Sequence, residues 1–82
     1  MKIQGVVTDP SGQPVPGAVV MLAAAPVPVP DIAALTDTEG RFSIAVPASG
    51  PYRLLVRGVV DLVEIPVAVH GTSVEVSAEL TG

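Results

Sequence analysis

The sequence predicts an all-β fold, a seven-stranded antiparallel β-sandwich, on three observations. An Asp-x-x-Gly turn occurs twice, as Asp9-Pro10-Ser11-Gly12 and Asp37-Thr38-Glu39-Gly40, each beside a run of alternating apolar residues. Asp at the first turn position hydrogen-bonds its own backbone, and Gly at the fourth accepts a positive φ without steric cost. Both turns therefore read as tight connections between short strands. The C-terminal run alternates strictly, with Ser73, Glu75, Ser77 and Glu79 on one side and Val74, Val76, Ala78 and Leu80 on the other. Such period-two patterning belongs to a sheet with one buried and one wet face. No stretch shows helical periodicity, and nine prolines oppose long helices.

The elements follow in order. Residues 2–8 place Ile3, Gly5 and Val7 on one face and Lys2, Gln4 and Thr8 on the other. The turn-rich run from Ser11 to Gly17 leads into residues 18–24, where Ala18, Val20 and Leu22 face inward and Val19 and Met21 outward. From Ala23 to Pro30, proline stands at every second position beginning at Pro26. That spacing prevents a regular ladder and favours a stiff, polyproline-like course, expected to cross between sheets or to shield an edge. Residues 32–36 run into the second Asp turn. Residues 41–46 set Arg41, Ser43 and Ala45 against Phe42, Ile44 and Val46. Residues 52–57 set Tyr52, Leu54 and Val56 against Arg53, Leu55 and Arg57. The sixth strand, about residues 62–69, holds Val63, Ile65 and Val67 on one side; Pro66 lacks an amide hydrogen, which assigns the strand to a sheet edge or a bulge. Residues 73–80 close the list. Turn signals at this spacing point to a sandwich rather than a meander.

Eighty-two residues suit one domain, residues 1–82, and a chain of this size buries only roughly 60% of its unfolded surface. Cys is absent, so neither a disulfide nor a Cys-based zinc site supplements the core. The net charge is −4, and Lys2, Arg41, Arg53 and Arg57 are scattered. Nucleic-acid binding requires a basic face that displaces counterions, so that class is excluded, and anionic membrane surfaces are disfavoured. No apolar run approaches the ~20 residues of a spanning helix. Met1-Lys2-Ile3-Gln4-Gly5 lacks the apolar stretch of a secretory signal. The expectation is synthesis in the cytoplasm, with export, if any, as part of an assembly that reads no such signal; a domain cut from a larger secreted protein would look the same.

Catalytic, metal and cofactor chemistry finds no convergent residues. The single His70 excludes a multi-His metal site, and His70-Gly71-Thr72 reads as a hairpin turn between the last two strands. Nucleophilic catalysis needs a nucleophile, a base and a group that orients the base, and no such set is legible. Asp37 and Glu39 are explained by turn chemistry and lack the further ligands of a calcium loop. A Lys–Asn isopeptide crosslink is excluded because Asn is absent, and a Lys–Asp crosslink from Lys2, the only Lys, is not expected because the last strand offers Glu75 and Glu79 rather than Asp. Trp is absent and Phe42 lies on the core face, while Tyr52 shares its face with Leu54 and Val56, so a stacking platform for sugars is poorly provided.

What remains is surface apolarity, since 49% of the residues are hydrophobic. Val19, Met21 and Leu55 face outward and, with Val27, Val29 and Ile32, make a candidate interaction surface larger than a soluble monomer normally exposes. The competing reading folds the Pro-rich segment over Val19 and Met21. The function expected is a non-enzymatic scaffold or adaptor that binds another protein or itself. The alternative is weak binding of carbohydrate, or of a peptide added as a strand to the edge that carries Pro66 or its counterpart.

Three stretches carry a resemblance. The run from Gly5 to Val20, GVVTDPSGQPVPGAVV, resembles the opening of carboxypeptidase regulatory-like domains. Thr36 to Ile44, TDTEGRFSI, is similar to their second signature and Pro51 to Val56, PYRLLV, to their third. The resemblance implies a transthyretin-like sandwich of about seven strands, appended to enzymes, receptors or surface proteins as a non-catalytic spacer or binding module. In carboxypeptidases it is the neighbouring domain that holds the zinc site.

Overall fold

Each alternating run becomes a strand. The computed structural model describes residues 1–29, 33–59 and 61–81. Its strands are β1 (Lys2–Thr8), β2 (Val19–Ala24), β3 (Ala33–Leu35), β4 (Arg41–Ala45), β5 (Gly50–Arg57), β6 (Leu62–Val69) and β7 (Ser73–Glu79). They form two sheets, one of three strands in the order β4-β1-β7 and one of four in the order β3-β2-β5-β6. The sheets bury their facing residues between them. Ile3, Val7, Val20, Leu54, Val56, Val69 and Leu80 are completely enclosed, and Phe42, Ile44, Tyr52 and Ala78 nearly so. All of these but Val69 are residues that the alternation assigns inward; Leu22, Val74 and Val76, assigned inward as well, are half-buried against the same core.

β6 lies at the edge of its sheet, where Pro66 costs no ladder bond. Gly58 N donates to Asp61 O at 2.9 Å, and Arg53 registers with Pro66 along the same ladder. Counting from that bond, every second residue of β6 turns its backbone away from β5, and Pro66 is one of them.

Three sequence expectations change. The β1–β7 pair is parallel, in an otherwise antiparallel arrangement. Parallel neighbours need a long crossover, and here the whole intervening chain supplies it. His70-Gly71-Thr72 is not a hairpin turn, because β6 and β7 belong to different sheets and the chain turns a corner there. The Pro-rich segment does not cross between sheets, because β2 and β3 are antiparallel neighbours in one sheet. Its start instead shields the free flank of β5 beyond the end of β2: a Cβ on Gly50 would stand 3.1 Å from the Pro26 ring. Pro30, its last proline, lies outside the described residues.

Both Asp turns form, and both lie where the chain leaves one sheet for the other. Asp9 Oδ1 accepts bonds from Ser11 Oγ at 2.6 Å and from Ser11 N and Gln13 N at 2.9 Å. The loop then folds back, Val15 N donating to Val7 O at 2.9 Å, before β2 begins in the other sheet. Asp37 Oδ1 accepts from Glu39 N and Arg41 N, both at 2.9 Å, between β3 and β4. Thr36, the one buried polar side chain among the described residues, secures the same region. Its Oγ1 accepts from Ala18 N at 2.9 Å and donates to Val15 O at 2.6 Å, so among the described residues no buried side-chain polar atom is orphaned. The Tyr52 hydroxyl donates to Ala48 O at 2.6 Å, which ties the entry of β5 to its own ring.

A third carboxylate works in the same way. Asp61 Oδ2 accepts from Thr81 N at 2.9 Å and Thr81 Oγ1 at 3.0 Å, and Oδ1 from Leu62 N at 2.9 Å, joining the β5–β6 loop to the end of β7. All three acids are held below the ordinary carboxylate range: Asp9 by the Ser11 hydroxyl and the Gln13 amide, Asp37 by the Arg41 and Glu39 amides, and Asp61 by the Thr81 amide and hydroxyl. A pKa depressed by folding contributes stability that is complete above the unfolded value and disappears as pH falls through the folded one. The melting temperature is therefore expected to hold from neutrality down to about pH 5 and to fall below about pH 4. Circular-dichroism melts across that range check this; a midpoint constant down to about pH 2.5 would show that the ionised aspartates do not support the turns.

Candidate interaction surface

The register of the four-stranded sheet places its outward residues in rows across the strands. One row is Leu35, Val19, Arg57 and Leu62; the next is Ala33, Met21, Leu55 and Glu64; a third pairs Arg53 with Pro66. Leu35 is 67% and Leu62 58% exposed, whereas Val19, Met21 and Leu55 are half-buried among their neighbours. Five apolar side chains from four strands thus share one outer face. Val59, in the β5–β6 loop, is 93% exposed.

Charge both borders and interrupts this face. Arg53 Nη1 and Glu64 Oε1 pair at 3.0 Å, both half-exposed, so the pair adds only about 0–1 kcal/mol of stability. Arg57 stands between Val19 and Leu62, where its methylene stem adds apolar area beneath a charged tip.

Of the residues singled out from the sequence, Val19, Met21 and Leu55 come together, with Met21 and Leu55 directly opposite. Val27 (exposed) and Val29 (half-buried) lie in the β2–β3 connection, and Ile32 lies outside the described residues. That connection leaves β2 after Ala24, at the far end from Val19, whose neighbour Leu35 is open to solvent. Sequence reasoning missed Leu35 and Leu62. Both were recoverable from alternation, because each stands one position from an inward residue, Ala34 and Val63 respectively.

The outer face of the three-stranded sheet is polar by contrast. Gln4 Nε2 donates to Glu75 Oε1 at 2.9 Å, and Arg41 Nε lies 3.4 Å from Glu39 Oε2. Those two contacts, with Ser43 and Ser77, border a shallow open groove. His70 is exposed at the β6–β7 corner. Among the described residues no three metal-ligating side chains converge, and no helix is long and apolar enough to cross a membrane. Both aromatic rings are buried, Phe42 to 5% and Tyr52 to 3% exposure, so neither offers a face to a sugar.

The family described as carboxypeptidase regulatory-like domain matches residues 2–81. No curated protein matches the sequence. Among solved structures, the chain is similar to a DUF3823 family protein from Parabacteroides merdae, with 27% identity and a TM-score of 0.70, covering 95% of this chain and 44% of that one. It is similar in fold to BcpA, the major pilin subunit of Bacillus cereus, with 13% identity and a TM-score of 0.68, covering 95% of this chain and 29% of the pilin. A candidate carbohydrate-binding protein from Pseudomonas aeruginosa shares the fold at 17% identity and a TM-score of 0.63, covering 96% of this chain and 87% of that one. The chain thus spans less than half of the first two.

Proposed function

The chain belongs to the carboxypeptidase regulatory-like domain family, and on that premise we propose that it is a non-catalytic interaction module, a scaffold or adaptor that docks on a larger protein or on itself. The observation that carries this reading is the outer face of the four-stranded sheet. Leu35, Val19, Met21 and Leu55 stand side by side across β3, β2 and β5, and Leu62 on β6 lies beyond Arg57 on the same face. A sheet face left this apolar gains by being covered, at about 25 cal/mol per Å² of apolar area removed from water. The exposed Val27 of the Pro-rich connection adds to the apolar area available. Similarity in fold to a pilin subunit supports a structural role. Similarity to a candidate carbohydrate-binding protein does not move the reading to glycans, because both rings are buried here.

Light scattering on the purified chain across a concentration series tests this. A defined oligomer that Leu55→Glu dissolves is the expected result for a self-interface. A monomer that binds an apolar dye, and loses the dye with the same substitution, places the surface against another protein. A strict monomer with no dye binding overturns the proposal.

A further inference from the structure

The two sheets have four edges, and three of them are unsuited to receive another strand. Among the described residues β3 has three, and β4 has five and stops before Pro47. β6 carries Pro66 at a position whose backbone turns outward, so a donor is missing from the middle of that edge. β7 differs: it runs for seven residues with no proline, no lysine and no bulge.

The hydrogen bonds determine which backbone groups of β7 are open. Lys2 N donates to Thr72 O at 3.1 Å, and Leu80 N donates to Thr8 O at 2.9 Å. Even-numbered residues from Thr72 to Leu80 therefore turn toward β1, and Ser73, Glu75, Ser77 and Glu79 turn their N–H and C=O groups to the open side. Among the described residues no strand pairs there. The apolar side chains on this edge are covered on one side only. Val74 and Val76 face inward yet are only half-buried, whereas Ala78 and Leu80 are enclosed.

Charge selects the occupant. Glu75 and Glu79 both stand on the polar face of β7, and the nearest cation in register, Lys2, is opposite Ser73. A second copy pairing through a two-fold axis at Ser77 would set Glu75 against Glu79 of its partner. An axis at Val76 would interleave four carboxylates with serines along one ladder. Like charges on adjacent strands destabilise pairing, and opposite charges support it. We propose that the open edge of β7 receives an extended segment of another protein, with basic residues at alternate positions on the solvent face and apolar residues between them, as a fourth strand of this sheet. The inference goes beyond the docking face described above, lies on the other sheet and is independent of it.

The test titrates the full-length chain with a peptide of alternating lysine and valine, followed by amide NMR and hydrogen exchange. A glutamate–valine peptide of the same length is the control. The expected result is shift and protection of the Ser73, Glu75, Ser77 and Glu79 amides by the lysine peptide alone. Glu75→Lys with Glu79→Lys is expected to weaken lysine-peptide binding on the order of tenfold and to favour the glutamate peptide. Ser77→Pro removes an outward donor without costing a bond to β1, so it is expected to keep the fold and lose the protection. Equal response to both peptides overturns the charge argument. Protection of the four amides without peptide, rising with protein concentration, makes a second copy the occupant and overturns the proposal. No protection at saturating peptide means the glutamates only blunt the edge, and overturns it too.

Discussion

Phe42→Ala is expected to lower the free energy of unfolding by about 3–5 kcal/mol. The ring is 5% exposed on the inner face of β4, and its cross-strand partner on β1 is Gly5. Gly5 has no side chain to move into the space left behind. Nor can one be added, because a Cβ there would collide with the carbonyl oxygen of Val76 on β7. The cavity therefore persists, and persistent cavities account for the upper part of the cost range. For a chain of this size the total stability is on the order of 4–12 kcal/mol, so the loss is at least about a quarter of it. A fall in melting temperature of at least about 12 °C is the result to look for by calorimetry. An unchanged midpoint would place the ring outside the core and refute the register of β4.

Gly40→Ala is expected to be nearly as damaging, by about 2–5 kcal/mol, for a different reason. Gly40 ends the second Asp turn with φ of 75°, and it is buried. Part of the cost, about 1–2 kcal/mol, is the left-handed conformation itself. The rest is space. A Cβ would collide with the Val7 carbonyl oxygen and stand 3.1 Å from Val15 N, while Gly40 O accepts from Val7 N at 2.7 Å. Those contacts tie the turn to the end of β1, so relief would come only by loosening both. Gly12 separates the two contributions. It ends the first turn with φ of 88° and has nothing within 4 Å of an added Cβ, so Gly12→Ala incurs the conformational cost alone. Urea unfolding of the two variants side by side decides the matter: equal losses would show that the close approach at Gly40 constrains nothing.

The inward set was legible residue by residue. Alternation assigned Ile3 and Val7, Val20, Phe42 and Ile44, Leu54 and Val56, and Ala78 and Leu80 to the core, and all are buried. Pro66 announced an edge strand or a bulge, and β6 is an edge strand. These signals are local. A side chain alternates across its own strand, and a missing amide hydrogen belongs to its own residue, so neither depends on where the neighbours lie. The candidate surface was half legible for the same reason. Val19, Met21 and Leu55 face outward by alternation, but that they meet, and that Leu35 and Leu62 flank them, follows from registers between strands distant in the chain.

What the sequence by itself determined, then, is the strands, their buried faces and the chemistry of their turns, along with a family resemblance from Gly5 to Val56. Only the tertiary structure decided which strands are neighbours. It made β1 and β7 parallel partners, turned the His70 segment into a corner between sheets, kept the Pro-rich connection within one sheet and left β7 open at an edge. The physical reason is that strands join through backbone N–H and C=O groups, which are the same at nearly every residue. A strand's own sequence specifies the face it buries, whereas the strand beside it is chosen by the joint packing of all seven around one core.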